Sequence, residues 1–444
     1  MVQLSRSGSC RVATTQRRAG VYGKAGNLSR PSSAAIYGRW YDLRVDSGRA
    51  RAYFDHNATT PVDPEVIAGV AATMRDEFGN ASSVHHFGQR AKARLEEARE
   101  QLAALIGASP AELVFTSGGT EADNFAIRGV AEALEPLGRR HLVTTAIEHE
   151  AVLTTMRALE RRGWRVTRVN PDRSGVVSAE ALEAALAPDT ALLSLMHANN
   201  EVGTLQPVAA CAAVARSRGV LVHTDAVQSV GKVPVDVRDL DVDLLTLSGH
   251  KFYGPKGVGA LWIRRGTRLL ATMTGGKQER SRRAGTENVP GIVGLGIAAH
   301  LAATRLEEDG AAQTVLRDVL EQGVLAAVAE THVNGQGQAR VPNTTNIGFA
   351  GIEAESLLIA LDLEGFAVST GSACSSGTLE PSHVLKAMGL SLHDTQNALR
   401  LSVGRHTTRD QVDRLIAALP AITERLRALT DRRAAIPGAD RRPA

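Results

Sequence analysis

The chain has 444 residues, of which 43% are hydrophobic and 22% charged, values typical of a water-soluble globular protein with about two domains. Its net charge is +4, but residues 1–50 carry nine Lys or Arg and two Asp, so the rest of the chain is slightly acidic and nucleic-acid binding is not indicated. The longest uncharged apolar stretch, residues 289–304, is too short for a membrane span, which needs about 20 residues.

Residues 1–50 are rich in Ser, Arg and Gly, with no acidic residue before Asp42. This composition is typical of a transit peptide, but it also fits a disordered extension. We favour the disordered extension because no amphipathic helical face is visible, and no apolar region indicates a secretory signal.

Ordered structure is predicted to begin at residues 52–61, an extended segment that breaks into a Thr/Pro turn. From Gln89, an apolar face through Leu95 and Leu102 predicts a helix that ends at Gly107.

A pattern of short apolar strand, polar cluster and helix then repeats along the chain. The five apolar strands are predicted at residues 113–115, 142–143, 192–196, 221–222 and 244–247. Alternating strands and helices predict an α/β fold with a mostly parallel sheet covered on both faces. Ligands bind such sheets beyond the carboxyl ends of the strands, which is where all five polar clusters fall.

The large domain continues with a strand at 259–263, a Gly/Arg-rich loop at 275–288 and a helix at 290–309 that leads out of it. Beyond this helix the pattern predicts a smaller α+β domain, with a helix at 353–361, a Ser/Gly loop at 369–377, a strand at 399–403 and a helix at 409–429. The predicted divisions are a basic extension (1–50), a segment joining the small domain (51–66), a large domain (67–303), a small domain (304–430) and a polar tail (431–444).

Lys251 and Asp225 point to a cofactor. Lys251 follows the apolar run 242–247. Burial at such a position disfavours the charged form of a lysine, which suits an amine that acts as a nucleophile. Taken alone it could be an ordinary surface lysine. Together with a strand-end aspartate able to pair with a pyridinium nitrogen, however, it supplies the two anchors that pyridoxal phosphate (PLP) requires.

Other strand-end residues fit a PLP site, although each also has a simpler interpretation. Residues 117–120 (SGGT) would bind a phosphate at a helix N-terminus or form an ordinary turn. His149 would stack on a ring, shuttle a proton or serve a structural role. Ser248 and His250 could add donors to the phosphate, and Asn200 and Gln228 could donate to a ring oxygen or cap helices.

The cysteines have different predicted roles. Cys10, Cys211 and Cys374 lie far apart in the sequence, so neither a disulfide framework nor a metal site is indicated, and a reducing cytoplasmic compartment is favoured. Cys211 lies in an apolar helix face and should be packed. Cys374, between small polar residues, should lie in an exposed, mobile loop and be reactive. Arg400, inside an apolar strand, should pair with a carboxylate of the protein or of a substrate.

These motifs together resemble the PLP-dependent cysteine desulfurases of the NifS/IscS type. The matching segments are 55–61 (DHNATTP), 116–123 (TSGGTEAD), 148–149 (EH), 197–203 (HANNEVG), 225–228 (DAVQ), 248–251 (SGHK), 283–286 (RAGT), 371–374 (GSAC) and 400–402 (RLS). They run in order from residue 52 to about residue 410. Residues 276–288 and the Cys374 loop look closer to the NifS branch than to the housekeeping branch.

The resemblance implies a PLP-dependent transferase of fold type I that works as a homodimer. It implies that Lys251 holds the cofactor as a Schiff base, that Asp225 pairs with its ring nitrogen, that His149 stacks on the ring and acts in catalysis, and that Gln228 and Asn200 address the ring oxygen. Gly119, Thr120, Ser248 and His250 would hold the phosphate, with Thr286 coming from the partner subunit. Arg400 and Asn200 would bind the substrate carboxylate.

The implied reaction converts L-cysteine to L-alanine and leaves a persulfide on Cys374. The sulfur would pass to an acceptor protein such as an iron–sulfur scaffold or a thiolation enzyme, and Cys374 could contact an iron–sulfur cluster transiently. Three alternatives remain open: a selenocysteine lyase, an aminotransferase of the same fold and a non-catalytic scaffold in an iron–sulfur assembly complex. Aminotransferases need no loop thiol, and a decayed scaffold would be expected to lose Lys251 or Cys374.

Overall fold

A computed structural model describes residues 51–371 and 381–434 of the chain. The predictions for residues 1–50 and for Cys374 lie outside the described residues. The strands are β1 (Ala52–Tyr53), β2 (Leu113–Thr116), β3 (His141–Thr145), β4 (Arg165–Val169), β5 (Thr190–Ser194), β6 (Leu221–Asp225), β7 (Leu244–Ser248), β8 (Gly259–Ile263), β9 (Thr331–Val333), β10 (Thr344–Phe349), β11 (Phe366–Ala367) and β12 (Ala398–Ser402).

The helices are α1 (Pro64–Asp76), α2 (His86–Leu105), α3 (Gly119–Leu134), α4 (Glu150–Glu160), α5 (Ala179–Ala185), α6 (Val208–Ser217), α7 (Val237–Leu240), α8 (Val289–Ala327), α9 (Ala354–Leu363), α10 (His383–Ala387), α11 (Leu392–Thr395) and α12 (Arg409–Ala434). A further single turn at Gln278–Ser281 interrupts the predicted Gly/Arg-rich loop, and three of its residues have left-handed backbone angles. The last helix runs into the predicted polar tail.

Seven strands form the main sheet, in the order β2-β8-β7-β6-β5-β3-β4. Only β8 runs against its neighbours, so β2, β3, β5, β6 and β7 point the same way and their carboxyl ends meet at one edge. The predicted mostly parallel sheet is therefore confirmed. These strands are buried along nearly their whole length because both faces of the sheet are covered: Leu245 packs into one core and Leu244 into the other.

Helix α8 connects the main sheet to a second hydrophobic core. Its first half is apolar and buried against α1 and α2, and Gly296 lets α2 approach closely, since a Cβ there would lie 2.6 Å from that of Ala98. Although α8 is long and apolar enough to cross a membrane, this half is mostly packed inside the protein. The prediction that the helix ends at residue 309 is wrong, because Leu320 and Val324 continue it into the second core.

The second core is built on the antiparallel sheet β12-β10-β9, covered by α9 and α12. Strand β1 pairs in parallel with β11, and Phe54 is fully buried in the same core. The first described strand therefore packs with the carboxyl-terminal part of the chain, and residues 54–60 pass along the junction between the two cores.

Candidate active site

The carboxyl edge of the main sheet encloses a cavity of about 180 Å³. Its lining residues are Gly119, Thr120, Asp123, His149, Met196, Ala198, Asn200, Asp225, Val227, Gln228, Ser248, His250 and Lys251. Nine of the predicted site residues therefore line one cavity. Parallel strands explain this convergence, because residues that follow different strands emerge at the same edge.

Lys251 ends a short 3₁₀ turn, Gly249–Lys251, directly after β7. Its Nζ donates to the carbonyl oxygens of Asn57 at 2.6 Å and Ala58 at 2.9 Å. Burial lowers the pKa of Lys251 to about 8, assisted by the positive charge of Arg400. With that pKa, roughly a tenth of the amine is unprotonated at pH 7, which is the form that a nucleophile or base requires.

Asp225 ends β6 and is 5% exposed. Burial raises its pKa, while the neighbouring His149 and Lys251 favour the charged form. His149 precedes α4, and its Nδ1 accepts a hydrogen bond from the backbone N–H of Ala151 at 3.1 Å. Because burial also lowers the pKa of His149, the neutral ring carries its hydrogen on Nε2.

The turn before α3 is shaped for an anion. Gly118 has φ 152° and ψ −176°, a conformation open essentially to glycine alone, and a Cβ on Gly119 would lie 2.9 Å from a methyl group of Val227. The first N–H groups of α3 have no partner within the helix and face the cavity edge. Burial lowers the pKa of His250 to about 4, so its imidazole is neutral beside this turn.

Arg400 lies at the junction between the two cores. It donates to Asp55 Oδ1 at 2.6 Å and to the carbonyl oxygen of Asn200 at 3.0 Å. The sequence left open whether its partner is a carboxylate of the protein or of a substrate, and the structure shows Asp55. Its buried Nε has no hydrogen-bond partner among the described residues, and neither does Oδ1 of Asn200.

Besides Arg400, two predicted site residues are absent from the described lining of the cavity that contains Lys251. Thr286 lines a separate cavity of about 140 Å³, together with Ser117 and Arg283. Cys374 lies outside the described residues, but both flanks of its segment are placed. A Cβ on Gly371 would lie 3.0 Å from Glu201 Oε2, and the Ser382 hydroxyl donates to that same oxygen at 2.5 Å.

The residues around the cavity fit PLP. Asp225 can pair with a pyridinium nitrogen, Lys251 offers a partly unprotonated amine, and the turn before α3 offers N–H groups to a phosphate. The unpartnered buried Nε of Arg400 and Oδ1 of Asn200 are polar atoms that a ligand could satisfy.

Several polar residues in or beside the cavity were given no role by the prediction, among them Asp123, which lines it. Asn57 lies in a matching segment but was given no role, although its carbonyl oxygen accepts from both Lys251 and Gln228. Lys232 donates to Gln228, and Glu201 accepts from Ser382 and lies close to Gly371, at the two flanks of the Cys374 segment. Only the position of Glu201 in a matching segment, next to Asn200, could have indicated it.

The chain is similar to several known proteins. Residues 52–415 match the family described as aminotransferase class-V. A cysteine desulfurase of Trichormus azollae is 50% identical over 378 residues, 85% of this chain and 94% of that protein. Among solved structures, a NifS-like protein has a TM-score of 0.79 at 40% identity and covers 85% of this chain and 99% of its own. SspA in complex with cysteine has a TM-score of 0.70 at 37% identity, covering 80% and 99%.

The chain therefore belongs to the class-V aminotransferase family. Within that family it is a cysteine desulfurase, an enzyme that depends on PLP. The family, the fold and the cofactor predicted from the motifs are confirmed. Its relatives include both NifS-like and IscS proteins, and the closer likeness to the NifS branch stays a prediction.

Proposed function

We propose that the chain takes the sulfur of L-cysteine, releases L-alanine and leaves that sulfur as a persulfide on Cys374. The observation that carries the proposal is the convergence of Lys251 and Asp225 on one cavity, beside the two anchored flanks of the Cys374 segment.

The strand-end residues would hold PLP by groups already in place. Lys251 would bind it covalently, Asp225 would pair with its ring nitrogen, His149 would lie against the ring, Asn200 and Gln228 would donate to the ring oxygen, and Gly119, Thr120, Ser248 and His250 would bind the phosphate. When bound, PLP supplies an electron sink for negative charge at the substrate Cα.

Lys251 is the proposed base for the Cα proton. Its pKa of about 8 lets the amine accept this proton and return it within one catalytic cycle. The unpartnered Nε of Arg400 and the amide of Asn200 would orient the substrate carboxylate. His149, with its hydrogen on Nε2, would hold or pass on a proton beside the ring.

Cys374 would act as the sulfur acceptor. Its thiolate attacks the substrate sulfur, so that an S–S bond forms while the C–S bond breaks. The electron pair of the broken bond passes to the substrate carbon, which takes up a proton and becomes the methyl group of alanine. Since Gly371 and Ser382 both contact Glu201, the neighbour of Asn200, the segment begins and ends close to the cavity.

The direct test is release of alanine and sulfide from L-cysteine by PLP-loaded protein with a thiol reductant. Wild type should release both in equal amounts, while Lys251→Ala should release neither. Cys374→Ala should bind PLP normally and release no sulfide. Selenocysteine as a parallel substrate distinguishes a desulfurase from a lyase specific for selenium. A PLP-loaded wild type that releases neither product would favour an aminotransferase or a scaffold instead.

A homodimer is the proposed assembly, with Thr286 completing the partner's site. In support, Thr286 lies outside the cavity of its own subunit. In addition, three large apolar side chains before and at the start of α2 are exposed: Phe78 (72%), Val84 (92%) and Phe87 (48%). A cavity lined by both Ser82 and Glu287 links this apolar segment to the loop that carries Thr286.

Mixed dimers test the assembly. If Thr286 acts on the partner's site, mixing Lys251→Ala with Thr286→Ala subunits places both substitutions in one site and leaves the other intact. Activity should then rise above that of either variant alone. No rise in mixed dimers that have exchanged subunits would contradict the shared site.

We further propose that this soluble enzyme works in the cytoplasm and passes sulfur to an iron–sulfur scaffold or another thiolation protein. The isolated cysteines support a reducing compartment. Transfer of radioactive sulfur from the persulfide to each candidate acceptor, with Cys374→Ala as the control, would identify the acceptor.

A further inference from the structure

A second lysine, Lys232, lies behind the cavity that contains Lys251. It is 8% exposed and follows Gln228 by four residues in the turn after β6. Its Nζ donates to Gln228 Oε1 at 2.6 Å and to Asn57 Oδ1 at 3.0 Å. Both acceptors are amide oxygens, and no carboxylate of the described residues forms an ion pair with it.

Burying a lysine in this position costs free energy of folding, which points to a specific role. Burial lowers the pKa of Lys232 well below its ordinary value, and the positive charges of Lys251 and Arg400 act in the same direction. A buried amine is tolerated here because its N–H groups are bonded, and even an unprotonated amine has two N–H groups for the two amide oxygens.

The geometry fixes which end of the Gln228 amide faces which neighbour. The backbone carbonyl oxygen of Asn57 can only accept, so the amide nitrogen of Gln228 must face it and the amide oxygen faces the Nζ of Lys232. One N–H of the same amide donates to the carbonyl oxygen of Asn57 at 3.0 Å. The second N–H is therefore the donor left for the cavity, which Gln228 lines.

We propose that Lys232 is a positioning residue that holds the Gln228 amide with its N–H group directed at the ring oxygen of bound PLP. Without Lys232, the carbonyl oxygen of Asn57 alone would hold the amide, and its free N–H group would be directed less strictly at the ring oxygen. This inference rests on the proposed function only in the assignment of Gln228 to the ring oxygen, and does not require desulfurase turnover.

The test is a pH titration of the visible absorption band of PLP-loaded enzyme. Loss of a donor leaves more negative charge on the ring oxygen, so the neighbouring proton of the cofactor is held more tightly and the midpoint rises. We expect Lys232→Met and Gln228→Ala each to raise the midpoint by about one pH unit. The double variant should shift no further than Gln228→Ala, because Lys232 acts through Gln228.

Additive shifts in the double variant would overturn the proposal, since Lys232 would then act through its own charge. Lys232→Gln separates the two effects independently of Lys232→Met: it removes the charge but keeps an N–H donor, and its midpoint should stay near that of wild type. A shift in Lys232→Gln as large as that in Gln228→Ala would contradict a role for the donor.

The matched control is Lys92→Met. Lys92 is exposed on α2, which contributes no residue to the cavity, so its midpoint should equal that of wild type. Thermal unfolding of each loaded variant verifies that it is folded. The titration requires no turnover, so absence of alanine and sulfide release would reject the proposed function while leaving this inference measurable.

Discussion

The two halves of the site differ in what their polar groups are bonded to. The strand-end half follows the strands of one parallel sheet and comprises Thr120, His149, Asp225, Ser248 and Lys251. The junction half lies between the two cores and comprises Asp55, Asn57, Lys232, Asn343 and Arg400. Strand-end groups line the cavity and can bind a ligand, whereas junction groups are bonded mostly to one another. Substitutions in the first half should therefore remove chemistry with little loss of stability, whereas substitutions in the second should remove stability whatever they do to the chemistry.

The largest expected effect is that of Lys251→Ala. Losing the amine that binds PLP and moves the Cα proton should lower kcat for alanine formation by at least about 10³-fold. The unfolding temperature of the PLP-free protein should change little, because burial of the Lys251 amine costs free energy that offsets its hydrogen bonds. Alanine formation and thermal unfolding measured on the same preparation check both statements. A large fall in unfolding temperature would place Lys251 with the junction half.

Asp225→Asn should separate binding from stability. Losing the charged partner of the ring nitrogen should weaken PLP binding on the order of 10- to 100-fold, the effect of one charge-assisted hydrogen bond. Without PLP the variant should be at least as stable as wild type, because burial raises the pKa of Asp225 and disfavours its charged form. Equilibrium dialysis and urea unfolding of PLP-free protein measure the two effects. A variant that is less stable without PLP would contradict the comparison.

The strand-end half could be predicted because each of its residues lies at the end of a largely apolar strand or within a few residues after it. Once the strands are parallel, their ends must meet, and Asp225 and Lys251 come together without any knowledge of side-chain contacts. The junction half gave no such signal. Arg400 and Asp55 are 345 residues apart, and Lys232 and Asn57 are 175 apart. Their pairing follows from how two cores dock, which no local pattern specifies.

The length of α8 illustrates the same limit within the fold. The acidic residues 307–309 look like the end of a helix, yet Glu307 and Glu308 are exposed on a helix that continues to Ala327. Continuation depends on Leu320 finding a place in the second core, which is a tertiary contact. Local patterns therefore predicted the start of α8, and tertiary packing set its end.

Asp55→Ala tests the junction half. It would leave Arg400 buried without its carboxylate, and should lower the free energy of unfolding by about 2 kcal/mol. Adding Arg400→Met should recover part of this loss, because it removes the unpaired charge. Asp413→Ala, which breaks the exposed pair of Arg409 and Asp413, is the matched control and should have little effect. Equal losses in the two single variants would show that the junction pair contributes no more than a surface pair.

The smallest effect is expected for Glu148→Gln, which sharpens the boundary between the halves. Glu148 follows β3, yet its Oε1 accepts from the Thr145 hydroxyl at 2.7 Å and from the backbone N–H of Met196 at 2.8 Å, as a junction residue would. Burial raises its pKa to about 8. The folded state thus keeps a proton that the unfolded state loses above its ordinary pKa, so stability falls as the pH rises toward 8.

A glutamine keeps the acceptor oxygen and cannot titrate. Glu148→Gln should therefore lose less stability than wild type between pH 7 and 8, by on the order of 1 kcal/mol. Urea unfolding of PLP-free protein at a series of pH values measures the difference, and Glu100→Gln on α2, whose side chain is exposed, is the control. If the stability of wild type and that of Glu148→Gln changed with pH in parallel, Glu148 would be ionised in the folded protein. Its charge would then have to be balanced within the strand-end half, and the division between ligand-binding and structural groups would not hold at β3.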